Sequence, residues 1–376
     1  MMGYHCIARN SAVRLAGALS AALVVAACAK KTDDGVKMDS TKVAMAPADP
    51  AKPAAAAPGT PDAQMQAVLD QLGALNGKPV ATLTAPEARK QPTPTDAVKA
   101  LLAKQGKPTA PPAGVTLSNR TVPGAAGQLP TNIYTPAGAG PFPVIVYYHG
   151  GGWVIANKDV YDGGARALAM MTGAIVISAD YRQGPEHKFP AAHDDAIAVY
   201  EWATKNAASL KGDPKKIALV GESAGGGLAV ATAIAARDKK LPMPLAIVSV
   251  YPIAGSDTTT ASYVENAEAK PLNRTMMSWF FDKYLNGPAD RQDPRINLVA
   301  ADLKGLPPTT IINAQIDPLR TDGEILAQKL KAAGVTTEQK TYDGVTHEFF
   351  GMGAVVDKAK DAEGMAASAL KKAFGM

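Results

Sequence analysis

An α/β fold built on a mostly parallel sheet is predicted by three features of the chain. Apolar, β-branched runs recur at 143–148, 174–179, 216–220, 245–251, 309–316 and 336–342. Long helical patterns, such as Ala191 to Leu210 and Ala224 to Arg237, separate them. The runs are continuously apolar rather than alternating, which is what strands need when helices cover both faces of their sheet. The segment from residue 110 onward, about 270 residues, is long enough to bury a large interior without disulfides.

Taken from the start, Arg9 and Arg14 precede Leu15 to Ala27, a 13-residue apolar stretch, and Cys28 follows. That stretch is short for a membrane span and suits the apolar region of a secretory signal. Val25-Ala26-Ala27-Cys28 resembles a bacterial lipobox, so residues 1–27 read as a lipoprotein signal peptide, with a plain signal peptide cleaved nearby as the rival. Cys28 then becomes a lipid-modified N-terminus, and several acyl chains hold a protein on a membrane where one does not. The expectation is an exported protein, lipid-anchored at Cys28 to a bacterial membrane and facing the periplasm. Of the 2 cysteines, Cys6 leaves with the leader, so no thiol remains to pair in an oxidising compartment.

Residues 28–60 are dense in Ala, Pro, Lys and Asp without apolar periodicity and read as a disordered tether. Helical stretches at Ala63 to Leu72 and Pro94 to Leu102, with prolines between them, mark 61–109 as a separate helical segment ahead of the main domain, 110–376. Val115 to Tyr134, broken by Pro123-Gly124 and Gly127, reads as an antiparallel hairpin; with the six apolar runs it makes an eight-stranded sheet. Residues 257–290 are more chain than a crossover between two strands needs, and they carry Met276, Met277, Trp279, Phe280, Phe281 and Tyr284. Two readings stand for this aromatic stripe. It lines a lid that excludes water from an apolar pocket, or it packs its helix onto the core.

The chemistry is concentrated at Gly221-Glu222-Ser223-Ala224-Gly225, a G-x-S-x-G between the run ending at Val220 and the helical run from Ala224. A serine on so tight a turn is strained and needs small neighbours, and it projects beyond the sheet edge. Its hydroxyl is a poor nucleophile unless a base lies within hydrogen-bond reach and a third group orients that base. An elbow of this kind takes its partners in the chain order serine, acid, histidine. Of the 5 histidines, His5 falls in the leader, His149 in a glycine motif, and His187 and His193 beside a Phe-Pro loop; only His347 follows Ser223. It lies in a loop after the last strand. Asp317 stands at the end of the strand 309–316 and is the first choice for the acid, with Glu348 second. Asp322 and Glu324 read as carboxylates placed against a helix dipole, and Asp343 as a turn residue before Gly344.

Acyl transfer also needs donors aimed at the developing oxyanion. His149-Gly150-Gly151-Gly152-Trp153 follows the strand run 142–148 and lets backbone N–H groups approach a substrate without steric cost. The donors are assigned to Gly151, Gly152 and Ala224, with Gly150 in the same loop. A plain turn or a phosphate cradle is the alternative, but no Lys-Ser/Thr follows the glycines.

With H-G-G-G-W, G-E-S-A-G-G, D-P-L-R and the terminal histidine in this order, the chain resembles the bacterial hormone-sensitive lipase family of esterases, within the α/β-hydrolase superfamily. Asp180-Tyr181-Arg182, Pro185 to Ala191 and Leu306-Pro307-Pro308 carry the likeness across about residues 110–376. The resemblance implies a serine carboxylesterase that acts on short- to medium-chain acyl esters through an acyl-enzyme, with Ser223, Asp317 and His347 as its triad. It also implies a small helical cap, made of 61–109 and 257–290. Departures are Gln183-Gly184, where the family often has Leu-Ala, Thr321 at an often acidic position, and Glu348, often glycine in relatives.

No metal or cofactor is expected: His193-Asp194-Asp195 lacks a ligand set and reads as the start of a helix after Pro190. The net charge of +5 is weak and scattered and argues against nucleic acid as a partner. The expected partners are a small-molecule ester and the membrane, with a homodimer left open. An amidase or peptidase of the same fold is the rival activity. A tethered, non-catalytic binding lipoprotein would need a broken triad, and the residues are all there.

Overall fold

The computed structural model describes residues 59–376; the leader, Cys28 and the tether as far as residue 58 lie outside the described residues. The described chain opens with three helices, α1 (Ala63–Ala74), α2 (Ala85–Ala88) and α3 (Pro94–Lys104). Side chains start all three: Asp62 accepts from the Met65 N–H, and Thr84 with Glu87 and Thr93 with Asp96 form capping boxes, satisfying amides that have no partner within the helix. The hairpin follows as β1 (Val115–Pro123) and β2 (Gln128–Pro136), turning through Gly124 and Gly127 as expected. Then come β3 (Phe142–Tyr148), α4 (Asp162–Thr172), β4 (Ile175–Ala179), α5 (Ala191–Asn206), β5 (Gly212–Glu222), α6 (Ala224–Asp238) and β6 (Ile247–Val250). The long β6 to β7 connection holds α7 (Ala261–Glu265) and α8 (Arg274–Tyr284), and the chain closes with β7 (Thr309–Ile316), α9 (Arg320–Ala332), β8 (Thr337–Thr346) and α10 (Asp357–Phe374).

The described strands form one eight-stranded sheet in the order β1-β2-β4-β3-β5-β6-β7-β8. Pairing is antiparallel from β1 to β2 and β2 to β4, and parallel elsewhere. Successive residues of each central strand feed opposite faces, which explains the continuous apolar runs. Val144, Val146, Leu219 and Ile247 meet α5, α6 and α9 through residues such as Val199, Leu228 and Leu326. Ile145, Val220, Val248 and Ile312 meet α4 and α10 through Leu168, Ala366 and Leu370.

The two segments outside the sheet divide between these layers. Met65 of α1 and Leu101 of α3 belong to the core on the α4 and α10 side, whereas Ala85 and Ala88 of α2 share the opposite core with Met277, Trp279 and Phe281 of α8. Trp279 ties the segments together by donating to the Leu83 carbonyl at 3.1 Å. No helix among the described residues is long and apolar enough to cross a membrane.

Several boundaries differ from the sequence reading; β5 already starts at Gly212 and runs to Glu222, and β6 is confined to Ile247–Val250. β8 continues to Thr346 because its pairing with β7 resumes after an irregularity, bringing Ile316 opposite Thr346; Asp343 is thus an exposed strand residue rather than part of a turn. α9 begins at Arg320, five residues before the expected Ile325, since the Arg320 N–H already bonds the Asp317 carbonyl. α5 ends at Asn206 and gives way to a tighter turn over Ala207–Leu210.

Candidate active site

The parallel strands all point their C-terminal ends at one edge, where ligands bind in open α/β sheets. β5 delivers Ser223 there. Its φ of 57° and ψ of −120° are strained for a residue with a side chain, and the turn is held by Ser223 N–H to the Val250 carbonyl at 2.9 Å and by Ile253 N–H to the Ser223 carbonyl at 3.1 Å. The flanking glycines are steric necessities: a Cβ on Gly221 would sit 2.0 Å from the Gly225 carbonyl oxygen, and one on Gly225 2.0 Å from that of Tyr148.

Because Ile316 and Thr346 are paired, Asp317 and His347 leave the sheet side by side. His347 Nδ1 is 2.7 Å from Asp317 Oδ2, and Nε2 is 2.9 Å from Ser223 Oγ. A carboxylate can only accept, so Nδ1 carries the proton and Nε2 receives the hydrogen bond from the serine hydroxyl. The other oxygen of Asp317 accepts the Leu319 N–H at 2.8 Å. All three side chains are buried. Burial alone would lower the imidazole, but the charge and hydrogen bond of Asp317 outweigh it and raise His347 above its ordinary value. Glu348, the second choice for the acid, stands instead on the Nε2 side, 3.7 Å away.

Gly150, Gly151 and Gly152 are buried beside the serine, and Val154 and Ile155 both donate to the Gly151 carbonyl, which curls the loop. Gly152 has a φ of 58°, and a Cβ there would lie 2.2 Å from the ring of Phe280, so α8 presses directly on the loop. Trp153 is buried and stacks on Tyr284 at 4.9 Å. His149 lies beneath, stacked on Tyr181 at 4.2 Å and 2.8 Å from the Gly150 carbonyl. Ala224, the first residue of α6, has an N–H that needs no partner within its helix.

The remaining acids fall elsewhere. Asp322 does not serve its own helix: buried, it accepts the Ala254 and Gly255 N–H groups of the loop after β6, and burial lifts its carboxyl to about 7. Glu324 faces Arg320 at 3.5 Å. His193 is within α5, buried against Tyr284, with burial lowering it to about 3. Among the described residues no group of three or more His, Cys, Asp or Glu is placed to hold a metal ion.

Three features had no signal in the sequence. Glu222 is buried and clasped by the hydroxyls of Tyr147 and Tyr251, and burial together with the nearby charge of Glu348 drives its carboxyl upward. Arg89, at the end of α2, donates to the Val154 carbonyl of the glycine loop and to the Gly184 carbonyl, both at 2.8 Å. Tyr161 donates to Glu348 at 2.6 Å. Tyr161, Glu222 and Glu348 are part of the wall of a cavity of about 890 Å³, bounded also by α3, α4 and the loop after His347.

Comparison with known proteins agrees with this geometry. A family model described as an alpha/beta hydrolase fold matches residues 145–351. The chain is similar to carboxylesterase NlhH of Mycobacterium tuberculosis, 40% identical over 230 residues that make up 60% of this chain and 72% of that one. It is 33% identical over 226 residues to ethyl acetate hydrolase of Pseudomonas putida, spanning 59% of this chain and 71% of the relative. Among solved structures, a hyperthermophilic esterase from the archaeon Pyrobaculum calidifontis superposes with a TM-score of 0.75 at 33% identity, covering 84% of this chain and 98% of that one.

Proposed function

Since the chain belongs to the alpha/beta-hydrolase-fold family, among its hormone-sensitive-lipase-like carboxylesterases, we propose that Ser223, His347 and Asp317 carry out its ester hydrolysis. The observation that carries this assignment is the unbroken hydrogen-bond chain from Asp317 through His347 to Ser223, beside a buried glycine loop. Nε2 of His347 takes the serine proton as Oγ attacks the ester carbonyl, and Asp317 holds the ring and stabilises its charged form. The N–H groups of Gly151, Gly152 and Ala224 receive the oxyanion. The alcohol leaves with the proton from Nε2, and water, activated by the same nitrogen, cleaves the acyl-serine.

Short- to medium-chain acyl esters are the proposed substrates. The name of one relative, ethyl acetate hydrolase, and the pressure of Phe280 on Gly152 support a confined acyl site. Segments 61–109 and 257–290 act as a cap. The test is hydrolysis of p-nitrophenyl esters from acetyl to palmitoyl by the full-length protein beside Ser223→Ala. A short-chain optimum whose kcat falls by about 10⁶-fold in the variant is expected, and unchanged turnover in the variant would sink the assignment.

Export and lipid anchoring at Cys28, with the catalytic domain tethered on the periplasmic side, complete the proposal. The charged leader, the 13-residue apolar stretch and the lipobox-like ending support it. An unmodified Cys28 in the intact mass of membrane-purified protein would overturn the anchor, and the mass of the particle in solution would decide whether it is a homodimer.

A further inference from the structure

We infer that Glu348 positions the hydrolytic water in the deacylation half of the reaction, an inference that rests on the triad assignment above. His347 Nε2 serves twice. In acylation its partner is Ser223 Oγ at 2.9 Å; once the serine is acylated, a water must take up a place within reach of the same nitrogen. Glu348 Oε1 is 3.7 Å from Nε2, too far for a direct hydrogen bond, but an oxygen about 2.8 Å from each atom bridges them without strain. A water held there gives one O–H to Nε2 and the other to Oε1, which leaves a lone pair for the acyl carbon.

The carboxylate is itself fixed. Tyr161 donates to the same Oε1 at 2.6 Å and is buried. Its hydroxyl packs on Gly150, where an added Cβ would lie 2.2 Å away, so Glu348 is located relative to the oxyanion loop as well as to the base. The backbone makes the same point: Glu348 has a φ of 69°, the left-handed region in which glycine is easier to place than a side chain. The side chain is 19% exposed and lines the cavity of about 890 Å³, so water reaches the carboxylate.

In the step so assigned, the water oxygen bonds to the acyl carbon as its proton passes to Nε2. The Ser223 Oγ–carbon bond then breaks and Oγ recovers that proton, while Glu348 accepts a hydrogen bond throughout and is unchanged at the end. Acylation needs no water, so the first half-reaction calls on Glu348 only for the minor share its charge has in raising His347.

Stopped-flow release of p-nitrophenol from p-nitrophenyl acetate by the full-length protein separates the two halves. Glu348→Gly suits the left-handed backbone, and Glu348→Gln keeps the shape and an acceptor oxygen, so both preserve the fold. The expected result for Glu348→Gly is a first phase within about twofold of the parent and a steady state slowed by about tenfold or more, with acetyl-Ser223 accumulating in the intact mass. Glu348→Gln should fall between the two. An unchanged steady state in Glu348→Gly overturns the proposal, and so does an equal slowing of both phases, because a purely structural prop for Tyr161 would act on both. Failure of the triad assignment is separable: it would appear as nitrophenol release surviving Ser223→Ala.

Discussion

Ser223, Asp317 and His347 hang from β5, β7 and β8, whose backbones are bonded along the sheet right up to the catalytic positions, with Glu222 opposite Val250 and Ile316 opposite Thr346. The glycine loop above them is held from outside the sheet, by Phe280 of α8 against Gly152 and by Arg89 of the N-terminal segment on the Val154 carbonyl. The first arrangement is a ladder, broken between β7 and β8 by one irregularity and resumed at Ile316 and Thr346. The second depends on a few side chains reaching from elements that have no sheet to register them. The triad should therefore respond to mutation through chemistry alone, and the loop through chemistry and stability together.

The largest effect that would sharpen this contrast is on the triad. Asp317→Asn keeps the shape of the side chain but removes the charge, and should lower kcat by about 10⁴-fold. The same charge is what raises His347 against its own burial. With it gone, the imidazole titrates lower, so the rise of kcat/KM with pH, which follows formation of the neutral base, should move to more acid pH. A profile whose rising limb stays in place, or moves alkaline, would mean that Asp317 does not set the base.

Next in size is Gly152→Ala. The methyl group would meet the Phe280 ring, and the positive φ disfavours it. Displacing one oxyanion donor should reduce kcat by about 10²- to 10³-fold, and the thermal midpoint should fall with it because α8 is pushed outward. A variant that loses activity at full stability would show the loop to be independent of the cap.

Smallest is Arg89→Ala, which deletes the hydrogen bonds to the Val154 and Gly184 carbonyls and the pair with Glu186. The pair is partly exposed, at 28% and 47%, and contributes little by itself. The bonds to backbone carbonyls matter more, and the expected loss is about 2 kcal/mol in denaturant unfolding with less than about a tenfold change in kcat/KM. A fall in activity as large as that of Gly152→Ala would place Arg89 in the oxyanion machinery and erase the distinction drawn above.

Much of this site is legible along the chain because its signals are local. The serine turn needs glycine at 221 because the Gly225 carbonyl lies against it, while Gly225 is required by the backbone of Tyr148 from β3. The acid is marked by its place at a strand end. The local signal stops short at Asp322: its place in the first turn of α9 suits a helix-dipole carboxylate, yet it turns inward to cap a loop 67 residues away. Nothing in the spacing of the chain announces such a bond.

The residue types and their order determine the layered α/β architecture and point to the proposed nucleophile and its partners, because strand periodicity, turn sterics and the scarcity of histidines are properties of short stretches. Only the folded chain decides that Tyr161 and Glu348, 187 residues apart, meet beside the catalytic nitrogen, that Glu222 is clasped by two tyrosines, and that Arg89 reaches the glycine loop. Those contacts depend on which helix packs over which strand end, and that is set by burial summed across the whole sheet rather than by any motif.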